Sequence, residues 1–263
     1  MPVSLIACAQ TAARAAREAG VLLRHHADRP KHVRTKRNVA DLVTDIDKAS
    51  ERLIRRILER AHPGFGFLGE EQGEQEHASP YRWIVDPIDG TNNFVHGLPL
   101  FGVSIGLEHR GRMVVGVIDD PSRRELFSAV RGRGAWLNGR RIRVSPTRQL
   151  SRSLVSTGFS FNFRRHPQPY LGWFREFQCR SHGVRRIGST VFCLASIAAG
   201  RLEGFYERDL WPWDMAAGML LVEEAGGRVT NLEGGPPSFS EGRLLATNGR
   251  IHGQMLRILK KHR

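Results

Sequence analysis

Two different arrangements of predicted strands and helices follow each other along this chain, and that change constrains the fold more than any other feature. Three apolar runs of strand length are separated only by short turns, which is typical of an antiparallel meander. These runs are 101–108, 112–119 and 124–130. After Arg152, predicted strands alternate with predicted helices, which favours layers of helices packed on a sheet.

The other predicted elements follow from hydrophobic periodicity and turn residues. Helices are predicted at 3–26, 46–62, 168–178, 189–199, 213–225 and 250–261. Further strands are predicted at 65–68, 83–85, 153–158, 183–187, 203–207, 227–230 and 243–247. The polar stretch 72–80 is predicted to be a loop, and Asn138-Gly139 a tight turn.

The chain has 263 residues, enough for one large domain or two closely packed halves. We predict a single domain over 1–263, with an α+β half at about 1–145 and an α/β half at 146–263. No stretch approaches the roughly 18 to 20 apolar residues of a membrane span, so no membrane partner is expected. The first 29 residues lack the pattern of a signal peptide, and we expect a cytoplasmic protein.

The net charge is +14, from 40 Lys and Arg against 26 Asp and Glu. Such a charge favours binding of nucleic acid, anionic membranes or phosphorylated substrates through long-range attraction. The basic clusters are scattered at 29–37, 131–143, 180–186 and 260–263, and no recognisable nucleic-acid-binding motif accompanies them. A solvated basic surface and a polyanion site both remain open.

Three separated acidic motifs indicate chemistry. The run Asp86-Pro-Ile-Asp-Gly-Thr91 places two carboxylates and a hydroxyl after an apolar strand, where we expect a turn. Gly69-Glu-Glu71 precedes it, and Trp213-Asp-Met-Ala-Ala-Gly218 follows far downstream. Acids of this kind bind hard divalent cations such as Mg²⁺, and a Gly-Thr helix start can hold an anion. Together they are what a metal-assisted phosphate hydrolase requires.

These motifs resemble those of the inositol monophosphatase family, which are Mg²⁺-dependent, lithium-sensitive phosphomonoesterases. The resemblance runs from about Lys36 to Asn248, in the expected order and spacing. Further similar pieces are Asp41-Leu-Val-Thr-Asp-Ile-Asp47, Gly132-Arg-Gly-Ala-Trp-Leu-Asn138, Gly188-Ser189 and Gly204-Phe-Tyr-Glu207. The resemblance implies a five-layer αβαβα sandwich with the metal site between its two sheet regions.

The resemblance also implies the ligands of two or three Mg²⁺ ions. The side-chain ligands would be Glu70, Asp86, Asp89 and Asp214, and the carbonyl of Ile88 would supply another oxygen. One metal would lower the pKa of a water that attacks phosphorus in line, while the others stabilise the leaving oxygen.

Other residues are assigned roles near the phosphate. By resemblance, Asp47 accepts a hydrogen bond from the Thr91 hydroxyl, and Thr91 with Glu70 orients the attacking water. Asp47 also suits the N-terminal turn of a helix, where an acid is favourable, and both roles can hold at once. Gly90, Thr91 and Asn92 open a helix whose N–H groups can bind phosphate oxygens. Lys36 matches a family lysine near the third metal, or is plain surface charge.

The substrate's alcohol part is expected at Glu207, where the inositol phosphatases use a glutamate against hydroxyl groups. Gly188, Ser189 and Thr190 would form the same pocket wall, although many relatives have alanine in place of Thr190. Glu207 favours a polyol phosphate such as inositol 1-phosphate. Histidinol phosphate and fructose 1,6-bisphosphate are the alternatives, and a second phosphate could bind four arginines. These are Arg164, Arg165, Arg185 and Arg186.

The resemblance bears on partners as well. Many relatives are homodimers, and a homodimer is expected here. Some bacterial members of the family act in ribosomal RNA transcription complexes, so an RNA or transcription-complex role in addition to catalysis is an open alternative that the +14 charge suits.

Overall fold

The structure is a computed structural model, and it describes residues 3–29, 32–35, 42–75, 77–160, 163–164 and 167–261. The helices in these ranges are α1 (Leu5–His26), α2 (Asp45–Ala61), α3 (Thr91–Val95), α4 (Tyr170–Arg180), α5 (Thr190–Ala198), α6 (Pro212–Glu224) and α7 (His252–Lys261). A short 3₁₀ turn spans Leu150–Arg152. None of the described helices is both long and apolar enough to cross a membrane.

The strands fall into two groups along the chain. Those before the 3₁₀ turn are β1 (Val33–Thr35), β2 (Leu42–Thr44), β3 (Gly66–Gly69), β4 (Gly73–Gln75), β5 (Tyr81–Asp89), β6 (Gly102–His109), β7 (Arg112–Asp120), β8 (Glu125–Val130), β9 (Ala135–Leu137) and β10 (Arg140–Ile142). Those after it are β11 (Leu154–Thr157), β12 (Gly183–Arg185), β13 (Gly204–Glu207), β14 (Arg228–Thr230) and β15 (Leu244–Thr247).

The strands form two large sheets. One has eight strands in the order β10-β9-β8-β7-β6-β5-β3-β4, and the other has five in the order β12-β11-β13-β15-β14. The predicted meander is the antiparallel run β6-β7-β8. In the second sheet β11 is parallel to β12 and β13, whereas β15 is antiparallel to β13. A third, two-stranded sheet pairs β1 with β2.

Helices cover both sheets and fill the space between them. Helices α1 and α2 pack on one face of the eight-stranded sheet, α5 and α6 lie between the two sheets, and α4 and α7 cover the far side of the five-stranded sheet. Neighbouring residues of β5 show the two faces, because Val85 packs under α1 and α2 while Ile84 packs toward α6. The predicted αβαβα sandwich is confirmed.

Local sequence explains how the first helix docks. The Ser4 hydroxyl accepts the N–H of Ala7 and caps α1. Four of the helix's alanines have no exposed surface, which lets its backbone lie close to the sheet; they are Ala12, Ala15, Ala16 and Ala19. At Gly20 a Cβ would overlap the Asp119 carboxylate of β7, so the missing side chain allows this approach.

Several sequence predictions need correction. The stretch 72–80 is not entirely loop, because β4 turns back at Gly73 (φ 72°) and pairs with β3 as an edge strand. Its polar character reflects exposure at that edge. The strand predicted at 83–85 extends to Asp89, so the first acids of the motif lie inside a strand and not in a turn. The turn at Asn138-Gly139 is confirmed, with φ of 48° and 77°, but the two short strands that it joins were not predicted.

Candidate metal centre

A bulge in β5 brings two acids of the motif to the same side. Asp86 is paired with Ser104 of β6 and Asp89 with Gly102. Between these two pairs β5 advances by three residues and β6 by only two, so β5 has one extra residue. In a regular strand, residues three apart point to opposite faces, and one extra residue removes that alternation. Pro87, which has no N–H to give to the sheet, lies inside the bulge.

Asp214 meets these two acids from the other half of the chain. One carboxylate oxygen from each of Asp86, Asp89 and Asp214 lies within 4.8 Å of the others. Asp214 is in the first turn of α6, and its Oδ2 accepts the N–H of Trp211 at 2.7 Å. All three line a cavity of about 160 Å³.

The electrostatics of this cluster are unfavourable without added positive charge. Burial, and then the charges of Glu70 and the other two aspartates, raise the pKa of Asp86 well above its usual value. Burial raises the pKa of Asp89 to about 6, although three hydrogen bonds to its carboxylate oppose this. The pKa of Asp214 is also raised, by burial and then by Asp89. A cluster of this kind could bind a metal ion, whose charge would offset the repulsion.

Glu70 faces the same cavity from a neighbouring strand. It follows the last residue of β3, and the parallel pairing of Gly69 with Val85 places it beside Asp86. The group whose oxygens all lie within 4.8 Å of one another does not include Glu70, but Glu70 is the neighbouring charge that raises the pKa of Asp86 most. Glu51, a fully buried acid of α2 that was not predicted, accepts the N–H of the next residue, Glu71, through its Oε2 at 2.8 Å.

Thr91 and Asp47 are in contact, as expected. The Thr91 hydroxyl lies 3.0 Å from Asp47 Oδ1 and 2.9 Å from the carbonyl oxygen of Ile88. Asp47 Oδ2 also accepts the N–H and the hydroxyl of Thr44, at 2.7 and 2.6 Å, which caps α2. The two interpretations of Asp47 are therefore geometrically compatible. Ile88 also lines the cavity.

Gly90 is the N-cap of α3, with φ of 86°. A Cβ there would lie 2.8 Å from the carbonyl oxygen of Leu100, so only glycine fits without movement. Thr91 and Asn92 begin the helix as predicted, and both line the cavity. Since α3 has only five residues, the N–H groups of its first turn matter more for anion binding than its dipole.

The opposite wall is the start of α5. The Ser189 hydroxyl donates to Asp89 Oδ2 and accepts the N–H of Phe192 at 3.2 Å. The N–H groups of Thr190 and Val191 also donate to Asp89, at 3.3 and 3.2 Å. Ser189 was predicted to lie on the substrate wall, but its hydrogen bond to Asp89 was not predicted. The Asp89 carboxylate belongs to the acidic cluster and also connects α5 to β5.

Gly188 and Glu207 complete this wall. Gly188 has φ of 80° and lines the cavity. Burial, and then the charge of Asp89, raise the pKa of Glu207 to about 8. The Thr190 hydroxyl lies 3.3 Å from Glu207 Oε2 and partly offsets that shift.

The basic residues predicted at the site differ in where they lie relative to the cavity. Arg186 lines the cavity, but Arg164 and Arg185 do not. Arg165 and Lys36 lie outside the described residues. Arg186 is therefore the arginine of this set that the described structure places at the site.

Further cavity residues were not predicted. They are Leu42, Thr157, Gly158, Phe159, Ser160, Cys193, Phe205, Asp209, Leu210, Trp211 and Trp213. Trp211 and Trp213 are stacked, with ring centroids 5.5 Å apart and planes 7° from parallel. Of these, Leu42, Phe205 and Trp213 lie within motifs that resemble the family, and the others had no sequence signal.

Comparisons with known proteins agree with this geometry. Residues 5–263 match the model of the inositol monophosphatase family. The chain is 44% identical over 222 residues to inositol-1-monophosphatase of Mesorhizobium japonicum, covering 84% of each protein. It is 41% identical over 257 residues to Nus factor SuhB of Pseudomonas aeruginosa, covering 95% of each.

Among solved structures, inositol monophosphatase from Anabaena superposes with a TM-score of 0.90 at 40% identity, covering 99% of this chain and 98% of that one. The extragenic suppressor protein SuhB from Bartonella henselae gives a TM-score of 0.90 at 42% identity, covering 96% and 98%. Sequence, fold and the acidic cluster therefore lead to one conclusion: this chain belongs to the inositol monophosphatase family.

Proposed function

We propose that this chain hydrolyses the phosphate monoester of a small polyol, with inositol 1-phosphate as the leading substrate and Mg²⁺ as cofactor. The observation that supports this most is the convergence of Asp86, Asp89 and Asp214 within 4.8 Å. Three carboxylates that repel one another in a partly enclosed cavity are a suitable donor set for hard cations that bind oxygen. Family membership supports phosphatase chemistry at this site.

Two or three Mg²⁺ ions would be held by these aspartates, with Glu70 and the Ile88 carbonyl as further donors. When bound, Mg²⁺ supplies a water of lowered pKa and a positive charge that stabilises the phosphoryl group during transfer. The N–H groups at Gly90, Thr91 and Asn92 would bind the phosphate oxygens.

Thr91 and Glu70 are proposed to orient the attacking water. The hydroxyl hydrogen of Thr91 is directed at Asp47 or Ile88, with which it makes contacts of 3.0 and 2.9 Å. This leaves a lone pair of the Thr91 oxygen to accept a hydrogen bond from the water. Glu70 lies on the same cavity and would accept the water's second hydrogen bond.

The alcohol part of the substrate would lie against Glu207, whose carboxylate can accept hydrogen bonds from hydroxyl groups. Arg186 on the same cavity keeps a substrate with a second phosphate, such as fructose 1,6-bisphosphate, as an alternative. Histidinol phosphate is the other alternative, since the same metal chemistry would serve it.

The test is phosphate release with Mg²⁺ from a panel of four esters. They are inositol 1-phosphate, histidinol phosphate, fructose 1,6-bisphosphate and ethyl phosphate. We expect inositol 1-phosphate to have the highest kcat/KM, and chelation by EDTA to stop turnover. Asp89→Asn serves as the inactive control. A different preferred ester would refute the substrate, and Mg²⁺-independent turnover would refute the cofactor.

A second role is proposed in addition to catalysis. Relatives from Pseudomonas aeruginosa and Escherichia coli are named Nus factor SuhB, each at 41% identity. We infer that the +14 chain can also bind RNA or a transcription complex. The Asp86→Asn protein should retain salt-sensitive binding of a ribosomal RNA leader fragment. Absence of binding at physiological salt by both wild type and variant would refute this role.

A further inference from the structure

The carboxylate of Glu207 occupies space that is open because residue 158 is glycine. It ends β13 and faces the cavity beside Gly158. A Cβ at position 158 would overlap both oxygens of the Glu207 carboxylate. The position of this carboxylate therefore depends on glycine at 158. Gly158 provides the space but does not set the orientation of the carboxylate within it.

Thr190 supplies the rotational constraint. Its hydroxyl lies 3.3 Å from Glu207 Oε2, and its own N–H is held by Asp89 Oδ1 at 3.3 Å. Thr190 is 8% exposed and begins α5, so its backbone is fixed. Its side chain is β-branched and has few χ1 positions open to it. The Glu207 carboxylate is thus connected through Thr190 to the acidic cluster.

We propose that Thr190 is a positioning residue for substrate selection, which holds Glu207 so that its carboxylate meets a hydroxyl group of the substrate's alcohol part. A carboxylate has about four lone-pair positions, so one hydrogen bond from Thr190 leaves the others for substrate. The inference rests on the proposed function, because it concerns the polyol end of the same site.

The size of the effect follows from what is lost with the hydroxyl. Without it, Glu207 would have to be ordered by the substrate at each binding event, which weakens binding by about threefold to tenfold. A simple alkyl ester makes no hydrogen bond to Glu207 and should be affected less. A hydroxyl that merely competed with substrate for Glu207 would have the opposite effect, since removing it would then tighten binding.

The experiment compares wild type with Thr190→Val, which keeps the shape but removes the hydroxyl, and Thr190→Ser, which keeps the hydroxyl. Values of kcat and KM are measured with Mg²⁺ for inositol 1-phosphate and for ethyl phosphate. In T190V we expect the ratio of kcat/KM for the two esters to fall about threefold to tenfold, mainly through KM for the polyol ester. T190S, which keeps the hydroxyl, should have a ratio close to that of wild type.

A Glu207→Ala background, which removes the acceptor of the Thr190 hydroxyl, separates positioning from a general structural effect. If Thr190 acts through the Glu207 carboxylate, T190V should change the ratio much less in E207A than in wild type. Equal losses for both esters, tighter binding in T190V, or the same effect in both backgrounds would overturn the inference. Wild type that hydrolyses neither ester would instead refute the proposed function, and the inference with it.

Discussion

Replacing Asp86 by asparagine should make the metal-free protein more stable while removing its activity. Asp86 is 1% exposed, and its carboxylate lies within 4.8 Å of those of Asp89 and Asp214. Two unit charges at this distance repel by about 3.5 kcal/mol at an effective dielectric constant of about 20. Asparagine keeps an oxygen for the N–H of Ile88, which Asp86 Oδ1 accepts at 3.0 Å.

The net gain should be smaller than the full repulsion, because an acid with a raised pKa takes up a proton when the charge becomes too costly. We expect about 2–3 kcal/mol at pH 8, or a rise in Tm of about 5–10 °C. The folded-state pKa of Asp86 lies above its unfolded value, so its favourable contribution is present at low pH and is lost as pH rises through the folded pKa. The advantage of Asp86→Asn should therefore grow from pH 5 to pH 8.

Thermal unfolding in EDTA and in millimolar Mg²⁺ is the assay. Mg²⁺ should raise the Tm of wild type by mass action and have much less effect on Asp86→Asn. Asp119→Asn is a matched control, because Asp119 is also a buried acid with a pKa raised to about 7 by burial, but it lies under α1 and away from the cavity. It should keep the response to Mg²⁺. A lower Tm for Asp86→Asn in EDTA at pH 8, or an advantage that does not change with pH, would refute the reasoning.

Two further predictions concern turnover. Thr91→Val should lower kcat by about 10²-fold or more with a smaller change in KM, because it removes the oxygen proposed to orient the water. Thr91→Ser should recover most of the loss. Equal activity of the valine variant and wild type in steady-state assays would contradict that role. Gly158→Ala should displace the Glu207 carboxylate and raise KM for inositol 1-phosphate by about tenfold, with a smaller effect on KM for ethyl phosphate. An unchanged KM would show that Glu207 does not contact the substrate.

Part of the fold could be predicted from local pattern alone. The long helix near the N-terminus and the meander were found within a few residues, because their apolar periodicity and turn residues are local signals. Short edge strands such as β4 were missed, since an edge strand needs few apolar residues and gives little pattern. The αβαβα layering came from the family resemblance, because periodicity does not say which face packs on which layer.

For the site, the sequence determined which chemical groups are present: the motif acids, Thr91 after Gly90, and Glu207 upstream of Asp214. Only the tertiary structure decided how they are arranged. The β5 bulge turns Asp86 and Asp89 to one side, and the parallel pairing of β3 with β5 places Glu70 beside Asp86. Asp89 also bonds to the start of α5, about a hundred residues away. Distances between segments so far apart depend on sheet pairing and packing, which no local pattern encodes.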